Sequence, residues 1–217
     1  MRLPEKYENE MKDLLQEEYE AYKESLSLPI QQGYRINTGK ISKEEWEKIA
    51  PFSAKEVPWI ENGYFLLNDF RASRHPYYFA GLYYLQEPSA MTPANRLNVE
   101  PGDFVLDLCA APGGKATELG SRLKGKGMLV ANDISNSRAK ALLKNLELAG
   151  IANLYVTSEE PAKLCQNFPE FFDKVLIDAP CSGEGMFHRE PKMIEYWEKR
   201  GPEEYVPIQK QLILYGS

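Results

Sequence analysis

FVLDL at 104–108, followed at once by CAAPGGK at 109–115, decides the fold. The first five residues form a short apolar run closed by a turn, the pattern of a buried strand. The next seven hold two alanines, a proline and two glycines, a tight turn, and a helix is predicted from 116 to 123. The alternation then repeats. Strands are predicted at 127–131, 154–157 and 173–177, with a short helix at 161–167. A helix at 138–149 carries Ala139, Leu142, Leu143, Leu146 and Ala149 on one face and is closed by Gly150. Strand, helix, strand at this spacing implies an α/β fold with a parallel sheet and right-handed crossovers. Ligands of such sheets bind beyond the carboxyl ends of the strands.

The wider chain sets limits. Its 217 residues carry 26 Lys and Arg against 32 Asp and Glu, a formal charge of −6. That disfavours a surface wholly committed to nucleic acid and leaves room for a local basic cleft. No apolar run approaches the ~20 residues of a membrane span. The N-terminal sequence MRLPEKYENEMKDLL is acidic and polar, unlike a signal peptide, so a cytoplasmic location is expected. Cys109, Cys165 and Cys181 form no CxxC pair, and His75 and His188 lie far apart. Reduced thiols are expected, and neither a disulfide framework nor a metal site.

Residues 1–98 differ in character and read as a small α+β domain, ahead of the α/β part at 99–217. A helix is expected over 4–24, with Met11, Leu14, Leu15 and Tyr19 on one face. Ser42 and Glu45 spell a capping box for a helix over 44–49. Short strands are expected at 33–37 and 63–67. The aromatic run Tyr77, Tyr78, Phe79, Tyr83, Tyr84 reads as packing rather than as a base-stacking platform.

The strand ends supply the candidate site. Cys109, Ala110, Ala111, Pro112, Gly113, Gly114 and Lys115 let a ligand lie against backbone N–H groups. Asp133, twenty residues beyond Gly113, suits a ribose diol. The loop is not GxGxxG, so a nucleoside without phosphates fits better, and S-adenosylmethionine is such a ligand. The bland alternative, a merely tight turn, would be favoured by the glycine pair alone. After the last strand comes DAPCSGEG at 178–185. A cysteine at a strand end suits addition to an electrophilic carbon as the thiolate. A lone cysteine is more often a small buried hydrophobe; the flanking Pro and Gly shift Cys181 towards function, while Cys109 and Cys165 keep the bland reading.

These motifs carry a resemblance. LDLCAAPGGKAT at 106–117, ANDIS at 131–135, DAPCSGEGMF at 178–187 and YYLQEPSAM at 83–91 resemble the NOL1/NOP2/Sun family of RNA cytosine-5 methyltransferases, in particular its bacterial RsmF-like branch. The resemblance implies a Rossmann-like S-adenosylmethionine-dependent methyltransferase fold and an RNA substrate, 16S rRNA. It implies that 109–115 hold the methionine part and backbone of the cofactor and Asp133 the ribose hydroxyls, that Asp178 binds near the cofactor's methionine end and the target base, and that Lys115 also approaches the catalytic centre. In the family a thiolate adds to carbon 6 of cytosine so that carbon 5 takes the methyl group, and the base must be unstacked to enter.

The likeness has departures. The attacking cysteine of the family sits in a later Thr-Cys motif, and the Pro-Cys cysteine, here Cys181, assists release. The chain is therefore expected to be an N-terminal fragment, binding cofactor but inactive alone, with an incomplete sheet whose edge strand is 174–177. Where the family places an acid that meets the adenine region of the cofactor after the third strand, this chain has Thr157, Ser158 and Glu159, and Ser158 or Glu159 is expected to substitute. His188 replaces a common arginine, leaving Arg189. Lys192, Lys199, Arg200, Arg189 and Lys210 are candidates for RNA phosphates. Two other readings stay open: Cys181 as the nucleophile itself, as in DNA cytosine-5 methyltransferases, or a non-catalytic RNA-binding module.

Overall fold

The computed structural model describes residues 2–67 and 71–216. The chain runs through α1 (Glu5–Leu15), α2 (Tyr19–Ser25), β1 (Gly33–Ile36), α3 (Lys43–Ile49), β2 (Ala54–Glu56), β3 (Gly63–Leu66), α4 (Pro76–Phe79), β4 (Tyr83–Leu85) and α5 (Thr92–Arg96). It continues through β5 (Phe104–Asp107), α6 (Gly114–Arg122), β6 (Met128–Asn132), α7 (Asn136–Ala149), β7 (Leu154–Thr157), α8 (Pro161–Asn167), β8 (Lys174–Leu176), α9 (Lys192–Arg200) and α10 (Val206–Tyr215). Two compact units result: Met1–Ile30 with Ala179–Gln211, and Gln31–Asp178 with Leu212–Ser217. The sequence boundary at 98/99 falls between two sheets that both belong to the second unit.

The second sheet is parallel, in the order β7-β6-β5-β8. Leu106 of β5 lies opposite Val130 on one side and Val175 on the other. Val105, Leu129 and Ala131 are fully buried, with Leu119 of α6 and Leu142 and Leu146 of α7 packed on them. Connection order puts the switch point beside β5. From β5 the chain steps outward to β6 and β7, then returns across β5 to add β8. Sheets wound in this order bind ligands beyond the strand ends where the winding reverses, and 108–115 and Asp178 stand at that end of β5 and β8. Gly150 takes φ +72° at the end of α7, the left-handed closure its sequence predicts. Leu143, placed by sequence on the buried face, is 40% exposed, because one step from Leu142 turns it about 100° around the helix. As expected, β8 is an edge; among the described residues it pairs with β5 alone. In α10 only Leu212 is buried, while Val206, Ile208, Ile213 and Leu214 are exposed.

The first sheet is antiparallel, in the order β2-β3-β1-β4. Tyr34 faces Tyr64 across β1 and β3, and their rings stack at 5.2 Å. Trp46, Phe52 and Tyr83 close around Tyr34, and the Trp46 indole donates to the Tyr34 hydroxyl at 3.1 Å. Tyr77 and Tyr78 pack against the same cluster, as the packing reading requires, but Phe79 is 63% exposed. The Ser42–Glu45 capping box forms with both bonds present.

In the first unit the single helix expected over 4–24 is broken. Gln16 takes φ +48° after α1, and a short 3-10 turn leads into α2. Leu3 and Tyr7 are buried against Phe187 and Trp197 with Met11 half-buried beside them, Tyr19 is buried, and Leu14 is exposed.

Candidate active site

The turn from β5 to α6 is built by withdrawing its carbonyls. Arg138 of α7 donates to the Ala111 carbonyl at 2.7 Å, and Asn145 of α7 donates to the Pro112 carbonyl at 2.7 Å. Arg35 of β1 donates to the Gly114 carbonyl at 2.9 Å. The Ala110 N–H is spent on the Asn132 carbonyl at 2.7 Å. The first amides of α6 have no intrahelical acceptor and point out of the helix start, where they favour an electron-rich ligand. Gly113 caps that start at φ +113°, and a Cβ there would meet Leu142 at 3.2 Å. Gly113→Ala is therefore expected to cost about 1–2 kcal/mol in urea unfolding. Ala110 and Ala111 are buried, Pro112 is exposed and Cys109 is half-buried. Burial, then the charges of Asp107, Asp133 and Asp178, push the Cys109 thiol up to about 11, which agrees with its reading as a small packing residue.

Asp133 stands at the end of β6, buried, accepting from the Ser135 N–H at 3.0 Å and paired with Arg138 at 3.2 Å. Ser158 is half-buried beyond β7, its hydroxyl 3.4 Å from the Ile134 carbonyl. Glu159 turns its carboxylate to Lys163 at 2.7 Å. Of the two residues expected to replace an acid there, Ser158 turns its side chain towards the end of β6, while Glu159 meets it through its backbone. Asp178 follows β8 and pairs with Lys115 of α6 at 2.6 Å; the lysine side chain is 17% exposed and the carboxylate 48%.

Three residues had no assigned part in the sequence reading. Asn132 is fully buried and uses its whole amide: it donates to the carbonyls of Leu108 and Glu159 and accepts from Thr157 and the Glu159 N–H. It ties the ends of β5, β6 and β7 together. Ile134, next to Asp133, is 67% exposed and offers an apolar surface at the crevice. Asp107, the last residue of β5, is 0% exposed, and neither carboxylate oxygen has a hydrogen-bond partner. Burial, then Asp178, raise its pKa to about 7; Lys115 and the Cys109 N–H, the latter short of hydrogen-bond geometry, offset this only in part. The signal was available, since an acid inside an otherwise apolar strand needs a reason.

Cys181 belongs to the first unit, exposed in an irregular segment before Glu184. Its neighbours are fixed. Gln209 donates to the Pro180 carbonyl at 3.0 Å, and the Glu184 carboxylate accepts from Ser182 at 2.7 Å and from the Trp197 indole at 2.8 Å. The predicted site residues thus fall into two sets, those from Cys109 to Asp178 in the second unit and Cys181 in the first.

A parallel sheet wound in this order, with a glycine-rich loop after its first strand and acids at three strand ends, defines the Rossmann-like fold of S-adenosylmethionine-dependent methyltransferases. Residues 94–216 match the family described as 16S rRNA methyltransferase RsmB/F, and residues 3–88 match the N-terminal domain of 16S rRNA methyltransferase RsmF. The chain belongs to the RsmB/F family. It is 34% identical, over 98% of its length and 46% of the relative's, to ribosomal RNA small subunit methyltransferase F of Pectobacterium atrosepticum. A methyltransferase homolog from Pyrococcus horikoshii is similar in structure, with TM-score 0.74 and 32% identity, covering 89% of this chain and 62% of that one. The crystal structure of PH0851 superposes at TM-score 0.89 and 25% identity, over 99% of this chain and 49% of that one. The chain spans about half the length of the curated relatives it matches.

Proposed function

We propose that this chain forms the S-adenosylmethionine-binding part of an RNA cytosine-5 methyltransferase acting on 16S rRNA. The observation that carries the reading is Asp107. A buried carboxylate with two unpartnered oxygens, beneath a loop whose carbonyls are turned away, is suited to a cation. The α-ammonium of a methionine group is such a cation, and its carboxylate suits the amides at the start of α6. Asp133 would take the ribose hydroxyls while shared with Arg138. Ile134 and Ser158 would border the adenine. The bound cofactor would supply an electrophilic methyl group.

The remaining chemistry belongs to the chain's own residues. The Lys115–Asp178 pair keeps a proton donor and an acceptor side by side at the end of β8, where Asp178 would accept from the exocyclic amine of cytosine. Cys181, on its pinned segment, would assist release of the methylated base, with attack on carbon 6 assigned by family likeness to a separate Thr-Cys cysteine. The exposed Arg189, Lys192, Lys199, Arg200 and Lys210 of the first unit would meet RNA phosphates.

Isothermal titration of the folded chain with S-adenosylmethionine tests the cofactor reading. Saturable heat is expected, and a folded sample giving none would overturn it. A covalent adduct with 5-azacytosine RNA that disappears in Cys181→Ser would instead make Cys181 the nucleophile.

A further inference from the structure

Arg35 is 1% exposed; both terminal nitrogens of its guanidinium are met by acceptors, while its buried Nε has no hydrogen-bond partner. Along β1, Tyr34 and Ile36 enter the aromatic core, while Arg35 extends from the opposite face. It donates through Nη1 to the Glu118 carboxylate, and through Nη2 to the Gly114 carbonyl at 2.9 Å and the Thr117 hydroxyl at 2.8 Å. All three acceptors lie in the first turns of α6. The same side of Gly114 is closed by the first sheet's last strand and the residues after it: a Cβ on Gly114 would meet Gln86 at 3.0 Å and Tyr84 at 3.2 Å. Gln86 is itself held by the Ala90 carbonyl at 3.0 Å.

The origin of these contacts matters. Of the three withdrawn carbonyls at the turn, those of Ala111 and Pro112 are held by α7, part of the parallel α/β layer itself. The third, that of Gly114 in the first turn of α6, accepts from the Thr117 hydroxyl of that helix at 3.1 Å and from Arg35 of the antiparallel sheet at 2.9 Å. The segment 34–40 also contains two ties of a different kind. Asn37 donates to the carbonyls of Gly81 and Ala149, and Lys40 donates to those of Ala80 and Leu148. Those fasten the same module to the far end of α7, away from the loop. Arg35 both joins the module to α6 and holds the loop, whereas Lys40 ties the module only at the far end of α7, so that tie can be removed while the contacts at the loop are left in place.

We propose that Arg35 is a positioning residue for the loop 109–115, so that the antiparallel sheet sets the conformation in which the loop receives its ligand. The ligand's identity rests on the S-adenosylmethionine reading above; the loop's dependence on Arg35 does not. Lysine at 35 keeps a positive charge facing Glu118 but lacks the planar fork that reaches Gly114 and Thr117 together. Valine at 117 keeps the guanidinium and removes one of its acceptors together with that hydroxyl's own bond to the Gly114 carbonyl.

Hydrogen exchange of the amides of 109–117 in the ligand-free chain provides the test, alongside S-adenosylmethionine titration. Arg35→Lys is expected to speed exchange in the loop and to weaken cofactor affinity, each by about tenfold, the loss of one or two net hydrogen bonds. Thr117→Val is expected to move both by roughly threefold in the same direction. Lys40→Met is expected to lower the melting temperature while leaving loop exchange and affinity at parental values. Unchanged loop exchange in a folded Arg35→Lys protein overturns the proposal, as does equal loosening by Lys40→Met. If Arg35→Lys does not fold, Thr117→Val decides, and parental exchange there overturns it. A parent chain that binds no S-adenosylmethionine ends the cofactor reading, while the exchange comparison still decides the role of Arg35.

Discussion

Glu118→Leu is expected to destabilise the protein by about 3–5 kcal/mol, read as a fall in the urea midpoint at constant slope. Glu118 sits 1% exposed on α6 and accepts from Arg35, from Arg122 at 2.7 Å and from Asn62 at 3.1 Å. Burial alone would raise its pKa. Arg35 and Arg122, with the hydrogen bonds from Arg122 and Asn62, outweigh that and hold the carboxyl below its ordinary value of 4.5. The ionised pair therefore contributes stability above pH 4.5 that is lost as pH falls through the lowered value. Leucine removes the anion and strands the Arg35 guanidinium, and an uncompensated buried charge dominates the cost. The double replacement Arg35→Met with Glu118→Leu removes both charges. It is expected to cost less than Glu118→Leu alone, a non-additivity that ordinary packing losses would not show. A midpoint for Glu118→Leu within 1 kcal/mol of the parent would mean that the network contributes little.

The strand ends were legible because their chemistry is local. A proline and paired glycines after an apolar run announce a turn, and acids at strand ends announce a crevice, whatever the rest of the chain does. Arg35 was not legible. It lies in a strand that alternates aromatic or aliphatic with polar residues, and such alternation reads as a solvated face. Only the packing of the antiparallel sheet against α6 turns that face inward. Asn132 was hidden in the same way, since an amide at a strand end carries no mark of four simultaneous hydrogen bonds. The break at Gln16 has neither glycine nor proline to signal it, and the charged run around it continues in helical register. Leu14 and Leu143 show the limit of periodicity: each neighbours the buried stripe in sequence projection, yet tertiary contacts select Tyr7 and Met11 in one case and Leu142 and Leu146 in the other. Glycine spacing located the loop, but what holds it open comes from α7 and β1, outside the motif.

Asp107 was in plain view within LDLCAAPGG yet read as part of a strand, and it yields the second large effect. Its pKa is raised from 3.8 to about 7. In that interval the folded protein binds a proton that the unfolded chain has lost, so stability falls as pH rises from 4 towards 7. Above pH 7 the free protein carries a buried, unpartnered anion at a cost of about 4 kcal/mol. Asp107→Asn removes the charge and keeps the shape. It is expected to be more stable than the parent at pH 8 by about 2–4 kcal/mol, to match it near pH 4, and to show a flat profile between. Cofactor binding should run the opposite way. An α-ammonium beside the carboxylate favours its ionised form, so parental affinity for S-adenosylmethionine is expected to rise about tenfold from pH 6 to pH 8. In Asp107→Asn the affinity should be weak and independent of pH. The residue would then be one that costs the free chain stability and is retained for what it binds, the pattern of a strained functional site. A parent whose urea midpoint stays level from pH 5 to pH 8, or an Asp107→Asn protein less stable than the parent at pH 8, would remove the basis for that account.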